Sequence, residues 1–174
     1  MCGRYSLAPD ESAEIARIVA EVQARFGAAS IRTGEIFPTN PAPVLLPAGQ
    51  EMTPRPMSWG FPSFKGKGVI INARGETALD KPTFRKSLLE RRCVVPTTGF
   101  YEWSKDKTKY RFNLPGRDAL YLAGLWNSFQ GEERYVVLTT APNDTIINVH
   151  DRMPVLLTED ELTPWLYDTA MATA

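Results

Sequence analysis

Apolar residues recur at helical spacing over residues 10–26, where Ile15, Ile18, Val19, Val22 and Phe26 share one face. Pro9-Asp10 marks the start of that helix and Gly27 its stop. The pattern then changes. From Phe37 to Pro62 the chain holds seven prolines, too many for a helix, so short extended pieces joined by fixed turns are expected. Pro56-Met57-Ser58-Trp59-Gly60-Phe61 closes the segment, ahead of a Gly/Lys turn at 65–68. Val69-Ile70-Ile71-Asn72-Ala73 reads as a short buried strand that delivers Asn72, Arg74 and Glu76 at its end.

A second helix is predicted from Pro82 to Arg92, with Phe84, Leu88 and Leu89 on one face and Pro82 near its first turn. From Cys93 onward the pattern is that of strands, at 93–95, 99–103, 109–114, 119–126 and 134–140. Lys105-Asp106-Lys107, Pro115-Gly116 and Gln130-Gly131 signal the turns between them. Ile146 to Val149 runs into His150-Asp151-Arg152-Met153-Pro154. Thr158 with Glu161 makes a capping box for a short last helix carrying Leu162, Trp165 and Leu166. Residues 168–174 are expected to fray. With no repeat or linker, the chain predicts one α+β domain over 2–167: a mixed, mostly antiparallel, strongly curved sheet flanked by a few helices.

Composition narrows the function classes. A chain of 174 residues with 43% hydrophobic and 23% charged residues suits one soluble domain with a real core. No run is long enough to span a membrane, and the start lacks the n- and h-regions of a signal peptide. The expected location is cytoplasmic, nucleoid-associated when bound to DNA, with no membrane partner. Two cysteines outside any ligand spacing and one histidine argue against a disulfide framework or a zinc site, and no cofactor is expected. Lys plus Arg and Asp plus Glu both total 20, so phosphate binding requires a local cluster of positive charge.

Four polar clusters end or interrupt apolar runs: Cys2/Arg4, Asn72 to Glu76, Gly99 to Trp103, and His150 to Pro154. Removal of Met1 before a residue as small as Cys leaves a terminal amine and a thiol on adjacent carbons. Such a pair condenses with an aldehyde to an imine and closes to a thiazolidine. An α-amine of pKa about 7.7–8 is roughly 10–15% free base at pH 7, against less than about 0.1% for lysine. Equally, Cys2 fits an ordinary flexible terminus. Glu102, inside an aromatic strand, is either solvent-facing or buried with a raised pKa, and only the second makes it a general acid/base near neutrality. His150 and Asn72 each admit a structural reading, Arg74 and Arg152 fit surface ion pairs, and Trp59, Trp103 and Trp126 are core residues by default. Cys93 reads as an inert core thiol.

Taken together, Met1-Cys2-Gly3-Arg4-Tyr5, Trp59-Gly60, Asn72-Ala73-Arg74 with Glu76-Thr77, Cys93 through Pro96 to Gly99-Phe100-Tyr101-Glu102-Trp103, Ala123-Gly124-Leu125-Trp126, Thr139-Thr140-Ala141 and His150-x-Arg152-Met153-Pro154 occur in order. This set resembles the SOS-response-associated peptidase (SRAP) family of abasic-site processing proteins, over about residues 2 to 166. The resemblance implies the SRAP fold and a thiazolidine crosslink between Cys2 and the ring-opened sugar of an abasic site in single-stranded DNA. The crosslink shields the lesion, and lyase and autopeptidase activities are associated with it. By the same resemblance Cys2 is the nucleophile, Glu102 the proton shuttle, His150 the residue that stabilises the opened sugar or imine, and Asn72 the residue that holds terminus and substrate. Arg4, Arg74 and Arg152 match phosphate contacts, and Trp59 and Trp103 match platforms beside the lesion. The protein is expected to act as a monomer without an obligate protein partner. The chain is short for the family, and its zero net charge is low for a DNA binder.

Rival classes remain. An N-terminal-Cys glutamine amidotransferase also begins Cys-Gly, but no Asn-Gly pair supplies an oxyanion hole. A Cys2/His150/Asn72 thiol peptidase would keep its activity behind an N-terminal extension. A pure binding module would tolerate Cys2→Ala.

Overall fold

The computed structural model describes residues 1–174. In chain order the first half comprises β1 (Tyr5–Leu7), α1 (Ala13–Phe26), β2 (Gly34–Ile36), β3 (Pro41–Ala48), β4 (Glu51–Trp59), β5 (Phe61–Pro62), β6 (Val69–Ile70) and β7 (Asn72–Arg74). Next come α2 (Pro82–Glu90), β8 (Arg92–Thr97), β9 (Gly99–Trp103), β10 (Lys109–Phe112), β11 (Leu120–Phe129) and β12 (Glu132–Thr140). The chain finishes with β13 (Met153–Pro154), β14 (Leu156–Leu157), α3 (Glu159–Tyr167) and α4 (Thr169–Ala172). No helix is long and apolar enough to cross a membrane.

The curvature foreseen for the sheet goes as far as closure. Strands β4, β3, β8, β11 and β12 are antiparallel neighbours in that order. Strand β12 then returns to β4 in parallel, with Arg134 opposite Ser58 and Tyr135 opposite Trp59. One parallel joint thus closes an otherwise antiparallel five-stranded barrel, which removes its free edges. The strands approach closely at Gly124, where a Cβ would lie 2.8 Å from the Cys93 sulfur and 3.2 Å from the Val136 carbonyl. Strand β7 continues the parallel run along β12, pairing Asn72 with Val137. A second, fully antiparallel sheet runs β10-β9-β1-β2, and β5 pairs with β6.

The proline-rich segment forms two long strands instead of short pieces. In the β3–β4 hairpin Pro43 faces Pro56, Leu45 faces Pro54 and Pro47 faces Met52. All five strand prolines therefore fall in one alternating set of positions. The other set contains the bonded pairs, continued beyond the strand by Trp59 N–H donating to the Asn40 carbonyl at 3.1 Å. Prolines sit where no N–H is asked of them, so the ladder survives.

Helix α1 starts three residues later than the pattern suggests because Ser12, not Asp10, caps it; Ser12 Oγ accepts the Ile15 N–H at 3.3 Å. Ile15, Ile18, Val19 and Val22 are buried, each burial stabilising by about 1.5–3 kcal/mol. Phe26, expected on the same face, is 44% exposed. Gly27 ends the helix at φ 102°. Glu161 Oε2 accepts the Thr158 N–H at 2.8 Å, as the capping pattern at α3 requires. The frayed tail expected after 167 is instead the short helix α4, capped by Asp168 and bonded through Thr169 Oγ1 to the Leu89 carbonyl. Packing against α2 supplies what sequence propensity lacks there.

Candidate active site

Four separate elements converge on the N-terminus. Strand β9 alternates, so Phe100 and Glu102 point inward, 1% and 2% exposed, while Tyr101 and Trp103 look out. Of the two readings left open for Glu102, the buried one is what the fold contains. Strand β7 begins with Asn72, whose side-chain amide donates to the Cys2 carbonyl at 3.1 Å. His150 ends a turn nucleated by Asn143, whose side chain accepts the Thr145 and Ile146 N–H groups, and Ile146 anchors that turn in the core. Residues 2 and 4 precede and begin the edge that β1 lays along β9, where Tyr101 N–H donates to the Arg4 carbonyl at 2.9 Å.

The terminal amine of Met1 lies 2.9 Å from His150 Nε2 and 3.7 Å from Glu102 Oε1, and His150 Nε2 is 3.7 Å from Glu102 Oε2. Met1 itself is exposed, whereas Cys2 beneath it is fully buried. Burial, reinforced by the Glu102 carboxylate, pushes the Cys2 thiol up to about 12. Glu102 is also raised by burial, against the opposing pull of the terminal amine and His150. Two buried acceptors, Glu102 Oε1 and Asn72 Oδ1, have no hydrogen-bond donor. Such groups are costly to leave unpaired, and both belong to residues that contact the first two residues of the chain. Chemically, an amine, a thiol, a buried carboxyl and an imidazole share one site. No group of three or more His, Cys, Asp or Glu residues is gathered to hold a metal.

The cationic and aromatic candidates divide. Arg4 stacks between Phe37 and Trp103, at 3.7 and 5.0 Å from the ring centres. Arg74 is exposed and makes no salt bridge. Arg152 follows His150 closely, but its fork is already bidentate on Glu76 at 2.8 and 2.9 Å and touches Thr139 Oγ1 at 3.1 Å. Its backbone N–H donates to His150 Nδ1 at 3.1 Å. Trp59 corrects the expectation of a base platform. Its ring is fully buried, lies parallel to Tyr135 and against Tyr5, and its indole N–H donates to the Ile71 carbonyl at 3.1 Å. A ring covered on all sides offers no face to a base. Sequence reasoning missed Glu76, Phe37 and Glu35 as neighbours of these groups. Only the pairing of β1 with β2, and of β7 with β12, brings them there.

The model of the SOS response associated peptidase (SRAP) family matches residues 1–174. The chain belongs to the SRAP family. Abasic site processing protein YoqW of Bacillus subtilis (strain 168) is 42% identical over 106 residues, covering 56% of this chain and 47% of that protein. Abasic site processing protein YedK of Escherichia coli (strain K12) is 22% identical over 177 residues, covering 95% of this chain and 79% of that protein. The matched stretch spans about half the length of the Bacillus relatives. A solved structure from Bacteroides thetaiotaomicron shares the fold, with TM-score 0.79 at 22% identity, over 99% of this chain and 85% of the other.

Proposed function

We propose that this SRAP-family protein senses abasic sites in single-stranded DNA and caps them covalently through Cys2 once Met1 has been removed. One observation carries the reading: the chain terminus is held at His150 and Glu102, with the Met1 amine 2.9 Å from His150 Nε2 and 3.7 Å from the buried Glu102, and Cys2 is the next residue. Hydrolysis of the Met1–Cys2 bond releases methionine with its own amine and frees the Cys2 nitrogen as a new terminal amine beside the thiol of the same residue.

The chemistry then balances without a cofactor. Glu102 relays a proton from the C1′ hydroxyl of the abasic sugar to its ring oxygen, giving the aldehyde and a C4′ hydroxyl. The Cys2 amine adds to C1′ and water leaves, forming an imine that His150 stabilises. The thiol adds across the C=N bond, its proton passing to nitrogen, and the thiazolidine closes with effective molarity of about 10⁵ M or more. Amine-first order agrees with a thiol held near 12, since a thiolate-dependent peptidase needs the opposite shift. Asn72 grips the Cys2 carbonyl throughout. Arg4 and Arg74 meet flanking phosphates, Trp103 stacks beside the gap, and Arg152 braces the turn that carries His150. A sugar without a base has nothing to unstack, so presenting it to the site costs little.

Intact-mass measurement tests this directly, before and after mixing with abasic single-stranded DNA. The expected protein lacks Met1, and the expected adduct weighs protein plus DNA less one water, without reductant. A stable adduct of the Cys2→Ala protein, again protein plus DNA less one water, would refute the reading. An N-terminal extension should abolish the adduct, whereas thiol-only peptidase activity would survive it.

A further inference from the structure

The outer face of the β10-β9-β1-β2 sheet has no part in the chemistry above beyond Arg4 and Trp103, yet its composition is unusual. Register pairs Tyr5 with Ile36 and Phe100, and Lys109 with Trp103. Alternation therefore sets Phe37, Arg4, Tyr101, Trp103 and Lys109 on the face opposite the buried Tyr5, Ile36 and Phe100. They interleave: Arg4 lies between Phe37 and Trp103, and Lys109 lies 4.4 Å from the Tyr101 ring centre and 5.7 Å from that of Trp103. Glu35 bridges the two cations, bonded to Lys109 and 3.5 Å from Arg4. Phe37 is 41% exposed and the Lys109 side chain 41%, so aromatic surface and positive charge face solvent together.

Surface ion pairs of this kind contribute little to folding, and nothing in the fold requires three aromatic rings on this face. Alternating rings and cations are what a strand of nucleic acid meets in single-strand binders: rings take bases, cations take phosphates. The face is continuous with the reactive terminus, because Arg4 lies two residues from Cys2 and Trp103 adjoins Glu102. The geometry points to a subsite for the two or three nucleotides on one side of the lesion, built from Phe37, Tyr101 and Lys109 and extending past Trp103. Glu35 is its internal placeholder, a carboxylate spanning Arg4 and Lys109 where a phosphate would sit. This rests on the abasic-site reading and adds a direction to the strand's path.

Binding of single strands carrying a tetrahydrofuran abasic analogue, which has no aldehyde, isolates non-covalent contacts and can be followed by fluorescence anisotropy. Oligonucleotides extended by three nucleotides on the 5′ side only, or on the 3′ side only, report the two directions separately. Tyr101→Ala and Phe37→Ala should each weaken binding about tenfold for one extension and leave the other unchanged, while Tyr101→Phe restores it. Lys109→Ala should flatten the salt dependence by about 0.7 in log–log slope for that same extension. Glu35→Gln should tighten it several-fold, and Lys86→Ala, on α2, should change nothing. If wild type forms adducts with true abasic DNA but these variants bind both extensions as wild type does, the subsite is wrong and the function stands. If wild type neither forms adducts nor binds the strands, both fall.

Discussion

At the residue scale, Cys2 and Glu102 show how burial sets chemistry. Both are buried, and burial pushes both toward their neutral forms, the Glu102 carboxyl against the opposing pull of the terminal amine and His150. In the proposed mechanism, replacing that carboxyl leaves the amine and thiol but no relay. Glu102→Gln should slow adduct formation by about 10²-fold or more in single-turnover gels with abasic DNA, the adduct remaining protein plus DNA less one water. Glu76 behaves oppositely. Its bond with Arg152, then a backbone N–H, holds it from 4.5 down to about 2. A depressed carboxylate contributes stability that is complete above its ordinary value and is lost as pH falls through the folded value. The small melting-temperature gap between wild type and Glu76→Gln, open at about pH 6, should therefore close toward pH 2. A gap that persists there would show that Arg152 is held by something else.

At the element scale, one buried arginine ties two helices to the barrel. Arg92 Nη1 donates to the Leu88 and Leu89 carbonyls at 2.8 and 3.0 Å, and Nη2 reaches the Leu166 carbonyl at 3.4 Å. These are the last carbonyls of α2 and α3, groups no helix can satisfy by itself. Burial lowers the Arg92 pKa, though arginine stays charged at any ordinary pH. Arg92→Met keeps the length but strands several acceptors, and should cost about 2–4 kcal/mol in urea unfolding. The helices themselves were readable, because four apolar residues at helical spacing and the Thr158/Glu161 pattern are local signals. The β3–β4 hairpin was not. Proline reads as a breaker until register shows that all five occupy positions free of ladder donors.

At the scale of the whole molecule, closure of the barrel rests on close strand approach, and Gly124 on β11 sits at one such point, between β8 and β12. Gly124→Ala would bring a methyl within 2.8 Å of the Cys93 sulfur and 3.1 Å of Val95 Cγ2. It should destabilise by about 1–3 kcal/mol in urea unfolding, an overpacking cost that a solvent-facing glycine would not show. Zero net charge also has a measurable consequence. With Arg4, Arg74 and Lys109 as the phosphate contacts, the log–log salt slope of single-strand binding should be about −2. A slope nearer to about −3 would mean that Arg152 leaves Glu76 and joins them.

The residue kinds at each motif, the amphipathic helix and the strand-rich second half were fixed by local pattern, since periodicity and turn chemistry act over a few neighbours. That Cys2, Asn72, Glu102 and His150 meet depended on pairings between β1 and β9 and between β7 and β12, contacts that no local pattern encodes. The same long-range packing decided the cases sequence left open. It buried Glu102 and enclosed Trp59, because a side chain's exposure depends on what the rest of the chain lays over it.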